Sequence, residues 1–430
     1  MSATAPRRRI AIACQGGGSH TAFTAGVLKR LLGDDEVRAD REIVGLSGTS
    51  GGAICALLAW YGLADEEIGR PGQLLEAFWR DNSASTLQEQ LLNTSIQWAG
   101  VLQDVVAMPV VSPYDNPFAA TVSAELRRLI TRYVDFDAPP RAPGHPMLLV
   151  GAADVLSGQF RAFDSRRDRI SVETILASAA IPTLFRSVHV EGGVYWDGLF
   201  SQNPPVRELV DTRPDEIWVI QINPTRLDTE PRSVLEIADR RNELAGNLSL
   251  NQELHFIEKV DQLLEEGALA SDGRFRNIVV RIVELSRSQL SGALGPVSKL
   301  NRDPAFVTGL MTHGEARADE FLTALAFESA WMARDVDATV AFLSDDVLLE
   351  SEAPFPSHGP ARGRARSARF LRDHLLDAAV IDVTRKQIAA ERVSWSARWQ
   401  PHDAPAPVRG TIVAELDGGR VVSLRLTATP

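Results

Sequence analysis

Cysteine is scarce in this chain, whose 430 residues contain only Cys14 and Cys55. Two cysteines cannot build a disulfide scaffold, so the composition indicates a reducing compartment. Near the N-terminus the apolar run 10–14 follows three arginines, but it is too short for the core of a signal peptide. No apolar run approaches the length of a transmembrane helix. We therefore predict a soluble cytoplasmic protein.

An excess of basic residues is also lacking. The chain carries 45 Lys and Arg against 56 Asp and Glu, which gives a formal net charge of −11. This balance argues against a nucleic-acid partner and offers no general attraction to anionic membranes. Hydrophobic residues make up 44% of the chain and charged residues 23%, which is typical of globular proteins with sizeable cores. The length allows two or three ordinary domains.

The stretch 42–52 contains the pattern Gly-x-Ser-x-Gly, with Ser50 at its centre. An apolar segment, 43–47, precedes the serine, and a helix-compatible segment, 50–61, includes it. In a nucleophile elbow the serine occupies a sharp strand-to-helix turn, and its neighbours two positions away must be small. The serine then lies at a helix N-terminus, which favours developing negative charge. The other elbow residues are Gly48, Thr49, Gly51 and Gly52. The same pattern also occurs in turns that serve packing alone.

A second glycine-rich turn, Gly16-Gly17-Gly18, follows the apolar segment 9–14 and precedes helical spacing in 21–32. Backbone N–H groups can approach an anion closely here because no side chain blocks them. Three interpretations stay open, namely a dinucleotide-binding loop, an oxyanion hole and a tight turn without chemistry. The pattern fits the dinucleotide loop poorly, because Thr21 stands where G-x-G-x-x-G needs its third glycine.

A serine nucleophile needs a base, and histidine is the usual one. The chain has eight histidines, but none lies in a recognisable turn after an acidic residue. An α/β-hydrolase also places several strands before its serine, whereas Ser50 has room for one or two. Asp197-Gly198 at a strand end fits a serine–aspartate dyad better. A carboxylate in a partly dry site can accept the proton of a hydroxyl held at hydrogen-bonding distance.

Taken together, these motifs resemble the patatin-like phospholipase family over about residues 8–310. In chain order they are Gly16-Gly17-Gly18, Gly48-Thr49-Ser50-Gly51-Gly52, Ala177-Ser178-Ala179-Ala180-Ile181-Pro182 and Asp197-Gly198. Asn203-Pro204 then follows the aspartate, much as in bacterial members of the family. The resemblance implies a three-layer α/β/α sandwich that hydrolyses the acyl esters of lipids without a cofactor or a metal.

The resemblance also implies roles for individual residues. Ser50 matches the nucleophile, and Asp197 matches the base, with Gly198 completing the base motif. The oxyanion loop is matched by Gly16, Gly17 and Gly18. The implied partner is a lipid or another acyl ester, with a membrane surface as one place to meet it. One departure concerns the glycine loop, which in the family continues with a basic residue and a glycine. Here His20 and Thr21 stand at those positions.

From about residue 317 the character of the sequence changes. The helical segment 321–342, the motif Phe-Leu-Ser-Asp-Asp-Val at 342–347 and the alternating segments that follow resemble the SnoaL-like branch of the NTF2-like superfamily. This resemblance implies a smaller α+β cone over 317–430. Such cones contain a pocket and often pair, so we expect a ligand-binding module or one that forms a homodimer. Glu350, His358 and Trp395 are candidate pocket residues without an assigned catalytic role, and His358 fits a solvated loop better.

Apolar spacing between these motifs predicts further helices. One covers 71–106, where the stripe consists of Leu87, Leu91, Trp98, Leu102 and Val105. We interpret this stripe as the packing face of an ordinary helix, and the alternative is a mobile cap that offers an apolar face to acyl chains. Another long helix covers 233–266, with one face formed by Leu235, Leu244, Leu248, Leu254, Ile257 and Leu264. A separate short helix is predicted at 303–312.

Two functions from different classes are consistent with the sequence. The first is a serine-dependent lipid acyl hydrolase of the phospholipase A or esterase type, in which Ser50 attacks the ester carbonyl and Asp197 takes the proton. The second is a catalytically weak or inactive lipid-binding or scaffolding protein, whose C-terminal module sets the oligomeric state.

Overall fold

The computed structural model describes residues 6–65, 67–103, 111–140, 142–182, 184–227, 229–270, 275–285, 294–295, 297–353, 359–375, 381–389, 392–399 and 408–428. The chain folds into two compact units. The first comprises Met1–Gln262 and Glu284–Glu315, and the second comprises Leu263–Val283 and Ala316–Pro430. Leu263–Val283 thus groups with the second unit, although it precedes the last segment of the first unit in the chain.

The first unit combines a mixed sheet with helices. Its strands are β1 (Arg8–Cys14), β2 (Arg41–Thr49), β3 (Met147–Asp154), β4 (Phe160–Asp164), β5 (Val188–Val190), β6 (Gly193–Asp197) and β7 (Glu216–Gln221). Its helices are α1 (Ala22–Leu32), α2 (Asp35–Asp40), α3 (Gly51–Gly62), α4 (Arg70–Asn82), α5 (Leu87–Gln103), α6 (Pro117–Tyr133), α7 (Val172–Ser178) and α8 (Val234–Glu265), whose last residues belong to the second unit.

Strand order in this unit brings the two glycine-rich turns together. The order is β7-β1-β2-β3-β6-β5, and β4 pairs with β3. Strand β1 pairs in parallel with β2 and β7, and β2 pairs in parallel with β3, whereas β6 is antiparallel to β3 and β5. Cys14 at the end of β1 lies opposite Gly48 near the end of β2. The loops that follow these two strands therefore emerge side by side at one edge of the sheet.

Helix α3 lies at the centre of the first unit. Its sequence is apolar on every side, and nearly all of its residues are buried. A helix that is apolar all round is stable only inside a protein, and the two-sided burial of β1 and β7 shows where that interior lies. Because α3 begins directly after Ser50, the predicted elbow rests on this core.

The second unit is α+β. Helix α9 (Pro304–Met332) begins in the first unit and continues into the second without a break. The strands are β8 (Val279–Glu284), β9 (Leu343–Ser351), β10 (Ala361–Arg362), β11 (Ile381–Ala389), β12 (Arg392–Trp399), β13 (Val408–Asp417) and β14 (Arg420–Ala428), and two short helices are α10 (Val336–Ala341) and α11 (Arg364–Phe370). Strand order is β10-β9-β14-β13-β12-β11-β8.

Aromatic side chains from α9 and β12 form the core of the second unit. Trp331 and Trp395 meet edge to face with ring centroids 5.5 Å apart, and Phe327 packs against both. Beside them, buried Arg281 of β8 forms an ion pair with buried Glu328 of α9 at 2.7 Å. The core of the second unit therefore combines apolar packing with a buried ion pair.

Two helix predictions need correction. The separate helices expected at 303–312 and 321–342 are one continuous helix, α9, followed by α10, because the change in composition near 317 contains no residue that breaks a helix. In α8 the predicted single face is also wrong. Leu254 and Ile257 are buried, but Leu244 and Leu248 are 51% and 59% exposed.

The packing face predicted for α5 is wrong at the two stripe residues whose side chains are described. Leu87 and Leu91 point to solvent rather than to the core. The side chains of Trp98, Leu102 and Val105 lie outside the described residues. In the part of the chain that the structure describes, no helix is both long enough and apolar enough to cross a membrane.

Candidate active site

Ser50 lies on a strained turn between β2 and α3. Its backbone has φ 56° and ψ −130°, a region that residues with a side chain adopt at a cost of about 1–3 kcal/mol. Its carbonyl accepts hydrogen bonds from the N–H groups of Ala53 and Ile54, at 3.0 and 3.2 Å, which starts the helix. The sequence Gly48–Gly52 thus forms the strand-turn-helix arrangement expected of a nucleophile elbow.

The glycines of the elbow allow this turn because backbone atoms occupy the space of a side chain. A Cβ on Gly48 would lie 2.4 Å from the Gly52 carbonyl oxygen, and one on Gly52 would lie 2.3 Å from that of Cys14. A Cβ on Gly51 would also collide, with the Thr21 hydroxyl at 2.2 Å. No larger residue fits at these positions without moving the turn.

Ser178 stabilises the turn at Ser50 through two hydrogen bonds of its hydroxyl group. Its hydroxyl accepts a hydrogen bond from the Ser50 N–H at 2.9 Å and donates one to the Gly151 carbonyl of β3 at 2.6 Å. The side chain is fully buried at the end of α7. One hydroxyl therefore joins the strained turn to the neighbouring strand. In the sequence Ser178 stands out only as part of the motif Ala177–Pro182, and no local pattern indicates this role.

Asp197 is the last residue of β6, and its position depends on the same motif. Its N–H donates to the Ala180 carbonyl at 3.0 Å, and the residue pairs with Ala152 of β3. The segment from Ser178 to Ala180 therefore fixes the backbones of both Ser50 and Asp197. Motif residues that carry no reactive group can thus position the two that do.

The Asp197 carboxyl is buried, with 1% of the residue exposed, and it lies beside the serine. The Ser50 hydroxyl is close enough to influence its ionisation, and its Oδ1 accepts the N–H of Leu199 at 2.8 Å. Burial raises the pKa of Asp197 from 3.8 to about 7, while Ser50 and the N–H of Leu199 act in the opposite direction. Gly198, the other residue of the base motif, lies against Gly151, whose carbonyl oxygen would be 2.6 Å from a Cβ.

The glycine loop after β1 contacts the elbow directly. A Cβ on Gly16 would lie 2.5 Å from the Thr49 carbonyl oxygen and 2.9 Å from the Ser50 Cβ. The N–H of Gly16 already donates to Asn203 Oδ1 at 2.7 Å. By contrast, the N–H groups of Gly17 and Gly18 meet no acceptor among the described residues. These two amides are therefore available to a ligand beside Ser50.

A buried network of side-chain amides supports this loop. Gln15 Oε1 accepts the N–H groups of Ile222 and Asn223 at 2.9 and 2.8 Å. Gln15 Nε2 donates to Asn247 Oδ1 at 3.0 Å and to the Asn203 carbonyl at 3.3 Å. All of these partners lie about 200 positions after Gln15 in the chain, so no local sequence pattern predicts the network.

His20 and Thr21, which depart from the family loop, both take part in packing it. Thr21 Oγ1 donates to the Gly18 carbonyl at 2.6 Å. This hydrogen bond closes the turn at Gly18, whose φ is 59°. His20 is buried, and its Nε2 lies 2.7 Å from Ser298 Oγ. A Cβ on Gly18 would lie 2.3 Å from the Lys299 carbonyl oxygen, so segment 297–300 also packs on the loop. Thr49, the remaining elbow residue, donates through Oγ1 to the Gln202 carbonyl at 2.6 Å.

A cavity of about 470 Å³ opens above Ser50, Gly51 and Gly18. Much of its wall is apolar, with Ile54, Phe78, Val122, Leu126, Ile181 and Phe185 among the lining residues. A concave apolar site with a few convergent polar groups is typical of small-molecule binding. Within the described ranges, no cluster of His, Cys, Asp and Glu has the arrangement of a metal site.

Two of the three candidate residues of the C-terminal domain are described, and each has a contact of its own. Trp395 is buried in the aromatic core, and Glu350 forms an ion pair with Arg425 at 3.1 Å. His358 lies outside the described residues.

The fold and the turn at Ser50 define a class, namely an α/β protein with a serine on a strained turn between a strand and a helix. Residues 12–210 match the family described as patatin-like phospholipase, and residues 324–424 match the SnoaL-like domain. Both resemblances predicted from the sequence are confirmed, as is the fold class of an α/β/α sandwich followed by an NTF2-like α+β domain. The first match supports a lipid acyl hydrolase family. No curated protein matches the chain significantly.

Among solved structures, the chain is similar to three NTF2-like proteins of unknown function. They come from Mesorhizobium loti (18% identity, 26% of this chain and 92% of that chain, TM-score 0.23), Burkholderia pseudomallei (18%, 26% and 91%, 0.23) and Burkholderia xenovorans (21%, 26% and 87%, 0.23). At these TM-scores the likenesses carry no functional argument.

Proposed function

We propose that the protein is a serine-dependent lipid acyl hydrolase of the phospholipase A or esterase type, with Ser50 as nucleophile and Asp197 as base. The observation that carries the proposal is the interaction of Ser50, which lines the cavity, with the buried carboxyl of Asp197. A base with a pKa of about 7 is matched to proton transfer near neutral pH.

In the first half of the reaction, Ser50 Oγ attacks the ester carbonyl carbon and its proton passes to Asp197. The carbonyl oxygen becomes an anion, which the N–H groups of Gly17 and Gly18 stabilise. Gly16 supports the loop through Asn203 instead of donating to the anion. The bond to the alcohol then breaks, and the alcohol leaves with the proton from Asp197.

In the second half, water attacks the acyl group on Ser50. Asp197 takes a proton from this water and returns it to Ser50 Oγ as the fatty acid leaves, so the enzyme ends in its starting state. The apolar wall of the cavity suits the acyl chain, since its burial there removes apolar surface from water.

Two variants and a covalent probe test the proposal. We expect Ser50→Ala and Asp197→Asn each to lower kcat/KM for p-nitrophenyl acyl esters by at least about a thousand-fold, because both groups act in one step. Asp154→Asn, a change to a partly exposed carboxyl at the end of β3, is the matched control. A fluorophosphonate should label wild-type Ser50. Unchanged turnover in either dyad variant would end the proposal, and lipid binding without labelling would favour the scaffolding alternative.

The second unit has a separate proposed role. On the resemblance of 324–424 to SnoaL-like domains, we infer a module that binds a ligand or pairs two chains. Sedimentation equilibrium of the full chain tests the homodimer.

A further inference from the structure

A second cavity, of about 420 Å³, lies beside the cavity at Ser50. The two cavities are neighbours, because Leu126, Ala179 and Phe185 line both of them. We call these three residues the partition. At Ala179 the only side-chain atom available to separate the cavities is one methyl carbon. The second cavity has no part in the reaction steps described above.

Helix α6 presents a different face to each cavity. Val122 and Leu129 line only the cavity at Ser50, whereas Ala120 and Ala124 line only the second cavity. At 3.6 residues per turn these two pairs point to opposite sides of the helix, and Leu126 lies between them. The small side chains of Ala120 and Ala124 leave space that a larger residue would fill.

The partition side chains of Leu126 and Phe185 are not held by tight packing. Each of them borders a cavity on two sides, and neither is fully buried. Atoms beside an empty space lack the van der Waals contacts that fix a side chain inside a close-packed core. A flexible apolar ligand can therefore move these two side chains apart at a small cost in free energy.

The lining of the second cavity favours an apolar occupant over an ionic one. Most of its lining residues are apolar, and its charged residues already have partners. Arg127 and Glu173 form an ion pair with each other, and the guanidinium of Arg186 donates to two backbone carbonyls, at 2.8 and 3.1 Å. The remaining ionisable residue, His189, is exposed. An ionic ligand would have to compete with these contacts, whereas an apolar chain gains by leaving water.

We propose that the second cavity binds the distal part of a long acyl chain whose ester lies at Ser50. The chain passes between Leu126 and Phe185, which move apart to admit it. A short acyl chain ends within the cavity at Ser50 and does not reach the partition. The position of the ester rests on the proposed hydrolase function, whereas the binding of a long acyl chain can be measured without turnover.

The experiment compares kcat/KM for p-nitrophenyl palmitate and p-nitrophenyl octanoate, both presented to the full chain in the same mixed micelles. The test variant Ala124→Phe places a ring in the second cavity, and Ala120→Phe is a second variant should the first fail to fold. The matched control is Thr121→Phe, because this residue of α6 is exposed and lines neither cavity. Circular dichroism checks the fold of each variant. Equilibrium dialysis with tritiated palmitic and octanoic acids measures chain binding without turnover.

We expect the ratio of kcat/KM for palmitate to kcat/KM for octanoate to fall by at least about ten-fold in both test variants, because several methylenes lose their site. In Thr121→Phe the ratio should keep its wild-type value. Phe185→Ala removes much of the partition, so it should raise the ratio. A wild-type ratio in either folded test variant, the same fall in Thr121→Phe, or no rise in Phe185→Ala would each overturn the proposal.

The dialysis separates a failure of this proposal from a failure of the hydrolase function. Wild-type protein that turns over neither ester would refute the hydrolase. In that case, weaker binding of palmitic acid by Ala124→Phe, with binding of octanoic acid unchanged, would still support the second cavity as a chain site. Turnover of both esters by wild type, together with equal binding of palmitic acid by wild type and Ala124→Phe, would refute only the second cavity.

Discussion

Replacing Asp197 with asparagine should change how the stability of the first unit depends on pH. Burial raises the pKa of Asp197 from 3.8 to about 7. In the unfolded chain the carboxyl ionises near its ordinary pKa. Between about pH 4 and pH 7, the folded chain therefore keeps a proton that the unfolded chain has released. The free energy of unfolding falls as pH rises through this window, because ionisation favours the unfolded chain.

The size of the effect follows from the two pKa values. The difference between 3.8 and about 7 corresponds to about 4 kcal/mol of unfolding free energy, lost in full once the pH is above 7. Water screens this site little, since Asp197 is almost completely buried. Asparagine does not ionise, and its side-chain oxygen can still accept the Leu199 N–H. Relative to wild type, the unfolding free energy of Asp197→Asn should therefore rise by up to about 4 kcal/mol between pH 4 and pH 8.

Urea unfolding at several pH values between 4 and 8 measures this difference. Hydrogen exchange in peptides of the first unit isolates its unfolding from that of the second. Asp154→Asn is a control of opposite sign, because hydrogen bonds from the N–H groups of Ser157 and Leu156 lower the pKa of Asp154. The stability that this lowered pKa gives is present above its unfolded pKa and lost as pH falls. Parallel curves for wild type and Asp197→Asn would refute a buried carboxyl with a raised pKa.

The same pKa predicts the pH dependence of the proposed reaction. A base must be ionised to accept the proton of Ser50, so kcat/KM should rise with pH, reach half of its limiting value near pH 7 and become constant about one pH unit higher. Stopped assays with a p-nitrophenyl ester measure this profile. An acid limb centred near pH 4 would mean that Asp197 is solvated, and it would contradict both parts of the reasoning.

Three further outcomes test other parts of the molecule. Ser178→Ala leaves the buried Ser50 N–H without its acceptor, so kcat should fall by about 10- to 100-fold with KM little changed, as steady-state kinetics would show. Gly18→Ala forces a side chain into a positive φ and against segment 297–300, so fluorophosphonate labelling should slow by at least about ten-fold. Glu328→Gln removes the buried carboxylate that forms an ion pair with Arg281, and calorimetry should find the second unit destabilised by up to about 3 kcal/mol. Each expectation would be contradicted by a wild-type result, namely a wild-type kcat for Ser178→Ala, a wild-type labelling rate for Gly18→Ala or wild-type stability for Glu328→Gln.

The local conformations of the two candidate catalytic residues could be predicted because their signals are local. A serine between two glycines after an apolar strand needs only five consecutive residues to specify its turn, and Ser50 has the predicted strand-turn-helix conformation. The Asp-Gly pair at 197–198 ends a strand as expected. The pairing of Ser50 with Asp197 was expected from family order and not from spacing, since 147 positions separate the two residues.

The residues that hold the site could not be predicted in the same way. Asn203 and Gln15 are ordinary amides in the sequence, and they acquire a role only when the parallel strands bring the glycine loop beside segment 203–247. Ser178 lies in a stretch of small residues that predicts a helix, and its hydroxyl becomes informative only when the Ser50 N–H is seen to lack another acceptor. Long-range hydrogen bonds depend on the fold, which local patterns do not contain.

The error in α5 has a different physical origin. Periodicity correctly predicted a helix with an apolar side, but it does not say which side faces the core, because that depends on the surface the helix meets. The surface that α5 meets is the polar segment 297–302, about 200 positions later in the chain. Its polar groups form hydrogen bonds with Asn93 and Gln97, which leucine side chains could not form. The packing face predicted for α8 was wrong for the same reason, although its Leu254 and Ile257 are buried and pack in the core. In α5, by contrast, Leu87, Leu91 and Leu92 are exposed and add no buried apolar surface, so its described attachment to the first unit depends on polar contacts.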